Sequence, residues 1–184
     1  MLFTGKGDNG KTTLFGCSQE CSKNSAIAEA LGTVDEINSL LGLCKVKAQE
    51  INLSYKNNEK KIAEELETIQ QNLFIVQAEL AGAEKTISEE KLREAEEIVN
   101  RIEKELPPIK TFFVSGGTEL GALFDFARTV SRRAERRVIA AEETGHKLGE
   151  WSRAYMNRLS SILYAYARLT NTKSGITELP PQYK

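Results

Sequence analysis

Residues 25–48, SAIAEALGTVDEINSLLGLCKVKA, decide the fold. Ile27, Leu31, Val34, Ile37, Leu41 and Cys44 recur at steps of three and four, which places them on one stripe of a helix running from about Ser25 to Ala48. Ile62, Leu66, Ile69, Leu73, Val76 and Leu80 repeat the pattern and predict a second helix from about Asn58 to Gly82. Ser88 can cap a third, with Ile87 and Leu92 placed as a hydrophobic staple. Ala95, Val99, Ile102 and Leu106 continue its stripe until Pro107-Pro108 ends it. After an apolar segment, Thr111 to Ser115, and Gly116-Gly117, a fourth helix is expected from about Thr118 to Glu143, stopped by Gly145. The fifth carries Tyr155, Leu159, Ile162, Tyr166 and Leu169. Five long helices, short connections and no convincing strand alternation describe an all-α, antiparallel five-helix bundle.

The 184 residues fit one domain, divided into an N-terminal loop over 1–24, the bundle over 25–170 and an irregular C-terminal tail over 171–184. There is no internal repeat and no low-complexity segment. With 25 basic against 26 acidic residues, the net charge argues against a protein wholly devoted to nucleic acid or to an anionic membrane. No apolar run approaches the roughly 18 residues of a membrane span, and Met1-Leu2-Phe3 leads straight into polar residues, so a cytoplasmic location is expected. Cys17, Cys21 and Cys44 read as reduced, structural thiols, because almost no histidine is present to complete a zinc site. The one histidine, His146, follows a helix-stopping glycine and is expected to be exposed. It also excludes a di-iron carboxylate bundle, which needs Glu-x-x-His on two helices. No metal site built by protein ligands is expected.

Gly5-Lys6-Gly7-Asp8-Asn9-Gly10-Lys11-Thr12 matches the Walker A pattern letter for letter, but the context does not. A true P-loop joins a buried strand to a helix, whereas only four residues precede Gly5, and Leu14-Phe15-Gly16-Cys17-Ser18 carries no helical stripe. The physical content survives. Three glycines permit tight turns whose N–H groups can face an anion, and Lys6, Lys11, Thr12 and Thr13 supply donors, so phosphate is the natural ligand of Thr4 to Thr13. The ordinary alternative is a solvated N-terminus rich in turn residues.

Arg128, Arg132, Arg133, Arg136 and Arg137 crowd the fourth helix. Ala127, Val130, Ala134, Val138 and Ala141 form its core stripe. Arg132 and Arg136 point away from that stripe, and Arg128 and Glu135 border it. A solvated basic face is the usual reading of such a pattern. Against it, few acids stand one turn away, and the fifth helix likewise turns Asn157 outward. Guanidinium groups suit bidentate phosphate contacts, so a triphosphate is a plausible guest. Asp35, at the edge of the first stripe, is either solvated or paired with an arginine such as Arg128.

Together, Thr4 to Thr13, Lys23, the Gly32-x-x-Asp35-Glu36-x-Asn38-Ser39 block, Phe112 to Gly117, Ala127-Arg128-x-x-x-Arg132-Arg133-Ala134-Glu135-Arg136 and Asn157-Arg158-Leu159-Ser160 strongly resemble the PduO-type corrinoid adenosyltransferases, in order and spacing. The resemblance extends over nearly the whole chain, with residues 50–110 matching only in helical pattern. It implies a ferritin-like, cobalamin adenosyltransferase-like bundle, usually a homotrimer with sites between subunits. The implied reaction moves the 5′-deoxyadenosyl group of ATP onto the cobalt of cob(I)alamin and releases triphosphate. By that analogy Thr4, Gly5, Lys6, Gly7, Asp8, Asn9, Gly10, Thr12, Thr13, Lys23, Arg132, Arg133, Glu135, Arg136 and Asn157 contact ATP and its Mg²⁺. Asp35 and Arg128 pair across the interface beside the corrin, Phe112 presses its lower face, and Arg132 joins Asp35, Phe112 and Arg128 as the catalytic set. A corrinoid reductase or an adenosylcobalamin-dependent enzyme would be the partner protein.

The chain departs from the family pattern at Gly5 (a lysine there), Ser115 (a proline), Asp125 (a histidine) and Ser161 (an aspartate). The first leaves Lys6 or Lys11 to carry the charge. Attack by Co(I) on C5′ needs no general base and no protein nucleophile, which suits a chain with one histidine. Outside the resemblance, Phe112 reads as core filling beside Phe113. The rival functions are a regulatory ATP-binding bundle without corrinoid, and nucleic-acid binding through the arginine helix, which near-neutral charge and the lack of interleaved aromatics disfavour.

Overall fold

The hydroxyl of Ser25 turns back to accept the Ala28 N–H at 3.4 Å, which starts helix α1 (Ala26–Glu50) where the apolar stripe begins. Ser88 caps α3 (Glu89–Glu103) by accepting the Lys91 N–H, and Thr118 caps α4 (Glu119–Glu143) through Gly121 N–H at 3.0 Å. Helices α2 (Ile62–Leu80) and α5 (Glu150–Lys173) start without a side-chain cap. The coordinates are a computed structural model describing residues 3–14, 20–51, 53–56 and 60–183.

The expected stripes are the core. Ile27, Val34, Ile37, Leu41, Leu66, Leu73, Val76, Phe124, Ala134, Val138, Leu159, Ile162 and Leu169 are all buried in one cluster shared by the five helices. Burying each Leu or Ile contributes about 1.5–3 kcal/mol. Cys44 belongs to this core, and burial pushes its thiol up to about 12, so it is inert. Cys21 is a half-buried free thiol. Cys17 lies outside the described residues.

Cross-helix pairs set the directions. Glu29 meets Arg137, Glu36 meets Arg133 and Lys47 meets Glu119, so α1 and α4 run antiparallel. Glu135 with Asn157 and Asp125 with Arg168 do the same for α4 and α5. Ile87 with Ser152, Glu96 with Arg158 and Glu105 with Lys173 show α3 and α5 running parallel. Five helices alternate up and down in sequence, and closing the bundle brings the third and fifth side by side.

Four expectations are adjusted. Helix α2 begins at Ile62, after residues 57–59 that lie outside the described set. Helix α3 ends at Glu103, capped by Lys104, four residues before Pro107; Leu106 is half-buried beyond the helix, where a following proline disfavours helical backbone. Two short antiparallel strands do exist, β1 (Lys11–Thr13) and β2 (Glu20–Ser22), with Thr12 opposite Cys21. His146 is half-buried, because the chain folds back after Gly145 (φ 103) and the His146 N–H reaches the Ala141 carbonyl at 3.3 Å.

The tail is pinned instead of loose. Asn171, fully buried, accepts the Thr118 N–H at 3.0 Å with Oδ1 and donates from Nδ2 to the Gly116 carbonyl and to Glu178. A Cβ on Gly121 would stand 2.3 Å from Asn171 Oδ1 and 2.9 Å from Thr118 Oγ1. Gly121→Ala is therefore expected to cost about 1–3 kcal/mol by overpacking this junction, measurable as a lower denaturation midpoint. Among the described residues no helix is long and apolar enough to cross a membrane.

Candidate functional site

Two successive turns make the N-terminal loop. The Asp8 N–H donates to the Gly5 carbonyl at 3.3 Å and the Gly10 N–H to the Gly7 carbonyl at 3.2 Å, with Gly5 and Gly10 at φ 68 and 77, a region that favours glycine. The Lys23 N–H ties the loop down through the Gly10 carbonyl at 2.9 Å, and its ammonium leans over Gly7, where a Cβ would come within 2.8 Å of Nζ. The loop then enters strand β1, so the Walker A match is a coincidence of letters. Lys11 Nζ sits 3.3 Å from Glu20, which leaves Lys6 exposed and without an ion pair among the described residues. Thr12, Thr13 and Lys23 line a cavity of about 790 Å³ against Ala28, Leu31 and Gln77 of α1 and α2.

The arginines of α4 divide into two kinds. Arg133 bonds Glu36, and Arg137 lies 3.5 Å from Glu29, so acids on α1 supply their counter-charges. Arg132 and Arg136 are exposed and make no ion pair among the described residues; Arg136 only donates to the Arg132 carbonyl at 3.0 Å. Beside them Asn157 Nδ2 donates to Glu135 at 2.8 Å, and Arg158 in turn donates to Asn157 Oδ1. This chain of bonds holds an amide and a carboxylate at fixed positions next to two uncommitted guanidinium groups.

A second cavity, about 800 Å³, is walled by Val99, Leu106, Ile109, Phe112, Arg128 and Tyr164. Phe112 is 76% exposed, so it does not fill the core. The Arg128 guanidinium stands 6.0 Å from the Tyr164 ring centroid, and its Nε is buried with no hydrogen-bond partner. Asp35 is exposed and does not pair with Arg128 within the chain.

Within one chain the loop and the Phe112 cavity do not meet, although Arg133 and Arg137 face Glu36 and Glu29 on the first turns of α1. The pairings of α1 with α4 put Arg128 level with the middle of α1, about 13 residues or roughly 20 Å along the axis from the loop at its start. Phe112 and Phe113 lie with the far end, where Phe113 packs on Arg168 near the C-terminus of α5. The cavity thus runs from the middle of the bundle to the end away from the loop.

Some of the cavity's support was invisible in the sequence. Arg168 is 2% exposed, 2.6 Å from Asp125 and 2.9 Å from Glu178. An arginine in the otherwise apolar run Ile162 to Leu169 was the available signal. Glu65, also buried, accepts both the Tyr55 and Tyr166 hydroxyls at 2.6 and 2.7 Å. Burial and this carboxylate hold both phenols far above their ordinary range, so they stay donors.

A family model described as cobalamin adenosyltransferase matches residues 2–170. The corrinoid adenosyltransferase of Bacillus subtilis (strain 168) is 35% identical over 182 residues, spanning 97% of this chain and 90% of that protein. The corrinoid adenosyltransferase PduO of Salmonella typhimurium is 36% identical over 174 residues, covering 91% of this chain and 48% of its own length. Among solved structures, a single-residue variant of a PduO-type ATP:corrinoid adenosyltransferase from Lactobacillus reuteri, complexed with cobalamin and ATP, superposes with a TM-score of 0.85 at 29% identity over 99% of both chains. With its loop, arginine face and five-helix frame all in place, the chain belongs to the cobalamin adenosyltransferase family.

Proposed function

We infer that this enzyme, a corrinoid adenosyltransferase that uses ATP, assembles each active site from two copies of the chain. The N-terminal loop of one copy would hold the triphosphate, and the Arg132–Arg136 face with the Phe112 cavity of another would hold the reacting centre. One observation carries this reading: within one chain the Phe112 cavity lies away from the loop, and its nearer wall at Arg128 already stands roughly 20 Å along α1 from it. A closed homotrimer satisfies the geometry with every site equivalent. The buried, unpaired Arg128 Nε and the exposed Asp35 are then the two halves of an ion pair that forms only between copies.

In the reaction Co(I) attacks C5′ in line, the cobalt–carbon bond forms as the C5′–O bond breaks, and triphosphate leaves with the electron pair. No proton moves, so the protein supplies position and charge. Well-oriented reactants gain about 7–11 kcal/mol, and donors fixed on the departing oxygens act where charge develops. Lys6, Lys23, Arg132 and Arg136 are the donors. Glu135, held by Asn157, and Arg133, held by Glu36, shape the nucleotide's other side. Mg²⁺ suits this set as an ion carried in by the triphosphate, since it keeps several waters and needs only one or two carboxylates, for which Asp8 and Glu135 are present. The cytoplasm is the expected compartment.

Mixing the protein with Mg-ATP and chemically reduced cobalamin under anoxia should yield the adenosylcobalamin spectrum and one triphosphate per product. ATP that binds but is not consumed would instead support a regulatory nucleotide-binding bundle. Phe112, exposed at the cavity wall, would press the corrin's lower face and keep the axial base off cobalt. Phe112→Ala should slow adenosylation of cobalamin at least tenfold more than of cobinamide, which lacks that base, a discrimination worth about 1.4 kcal/mol. Equal effects on the two corrinoids would remove this role.

A further inference from the structure

Arg168 is the most enclosed charged residue of the cavity region, and the adenosyl transfer described above makes no use of it. Its guanidinium lies 2.6 Å from Asp125 on α4 and 2.9 Å from Glu178 in the tail. Two rings cover it, Tyr164 at 4.9 Å and Phe113 at 5.6 Å. Tyr164 in turn faces Arg128 at 6.0 Å. The same spot gathers the backbone: the Val114 N–H donates to the Leu179 carbonyl at 2.9 Å, and Asn171 joins Gly116, Thr118 and Glu178. Three of these links, through Phe113, Val114 and the Gly116–Thr118 turn, lead to the segment that presents Phe112.

A buried ion cluster of this kind adds little stability over apolar side chains of equal volume, because desolvation offsets the attraction. Its distinctive effect is geometric. A guanidinium fork engaged by two carboxylates from different segments has one low-energy arrangement, and a ring stacked on its face inherits that arrangement. Phe113 is that ring, and Phe112 is bonded to it. Helix α4, with α5 and the tail that follows it, thus converges on the backbone that aims one exposed aromatic.

We propose that Arg168, clamped between Asp125 and Glu178, is a positioning residue that acts through Phe113 and the Val114–Leu179 bond to hold Phe112 against the lower face of the corrinoid. The tail is then part of the specificity apparatus for corrinoids bearing a lower axial base. The inference rests on the role given to Phe112.

The test compares kcat/KM for cobalamin and for cobinamide in five proteins: wild type, Phe112→Ala, the clamp variants Glu178→Gln and Phe113→Leu, and the double variant Phe112→Ala/Glu178→Gln. Glu178→Gln keeps shape and an acceptor for Asn171 while weakening the clamp. It should lower the cobalamin-to-cobinamide ratio severalfold with cobinamide nearly unchanged, and the double variant should be no worse than Phe112→Ala alone. Phe113→Leu, which removes the ring but leaves the ion cluster, should move the ratio in the same direction. An unchanged ratio in both clamp variants, equal losses on both corrinoids, or multiplicative losses in the double variant would overturn the clamp while leaving Phe112 its role. If Phe112→Ala itself left the ratio unchanged, the role of Phe112 would fall and the proposal with it.

Discussion

Arg132→Ala is expected to lower turnover about 10²–10³-fold, the loss seen when one donor to a developing charge is removed, while moving the melting temperature by no more than about 2 °C. The stability half follows from exposure. Arg132 is exposed and its side chain makes no ion pair among the described residues, and surface changes of that kind stay within about 0.5 kcal/mol, which for a chain of this size is about 1–2 °C. The activity half follows from the same freedom. Arg133 and Arg137 already face Glu36 and Glu29, so Arg132 and Arg136 are the cations left to meet a triphosphate. Arg133→Ala, by contrast, should cost less in turnover.

The composite site makes this prediction sharper. Lys6→Ala/Lys23→Ala removes charge from the loop and should also nearly abolish activity, since each charge-assisted bond contributes about 1.5–3 kcal/mol. When the two inactive proteins are unfolded together and reassembled, sites form that take the intact loop from one chain and the intact Arg132 from another. Recovery of a substantial fraction of wild-type turnover is the expected result. If loop and arginine came from the same chain, no mixed assembly could contain an intact site. Turnover would then stay at the level of the separate variants.

The bundle was legible in the sequence because helical amphipathicity is a local signal: Ile27 through Cys44 and Tyr155 through Leu169 announce their buried faces without reference to anything distant. The cap at Ser88 was equally local, and its hydroxyl accepts the Lys91 N–H. The two strands were not visible, since three-residue segments such as Lys11–Thr13 are too short for alternation to register. The pairing of Arg133 and Arg137 was missed for a different reason. A wheel drawn on α4 shows only α4's own acids, whereas Glu36 and Glu29 arrive from α1 once the helices pack antiparallel. The cavity around Phe112 depends still more on tertiary structure. Arg168 is one basic residue near a helix end, and nothing local indicates that Asp125, 43 residues before it, and Glu178 in the tail converge on it.

That convergence carries the second large effect. Asp125→Ala should cost about 3 kcal/mol, the lower end of the range for leaving a buried charge without its partner, and lower the melting temperature by about 6–12 °C. The lower end applies because Glu178 remains 2.9 Å from Arg168. Solvent cannot compensate readily, as Arg168 and Asp125 are 2% and 4% exposed. Asp125→Asn should lose less, because an amide oxygen can still accept from Nη2. The decisive comparison is Asp125→Ala/Arg168→Met. If the cost of the single change is mainly the stranded guanidinium, removing that charge should recover part of the loss, a coupling of about 1–3 kcal/mol. If the loss reflects missing volume at Asp125 alone, the second substitution will add to it. The same double variant should stay impaired in choosing cobalamin over cobinamide, because an apolar side chain can fill the space under Phe113 but cannot fix the direction in which Phe112 points.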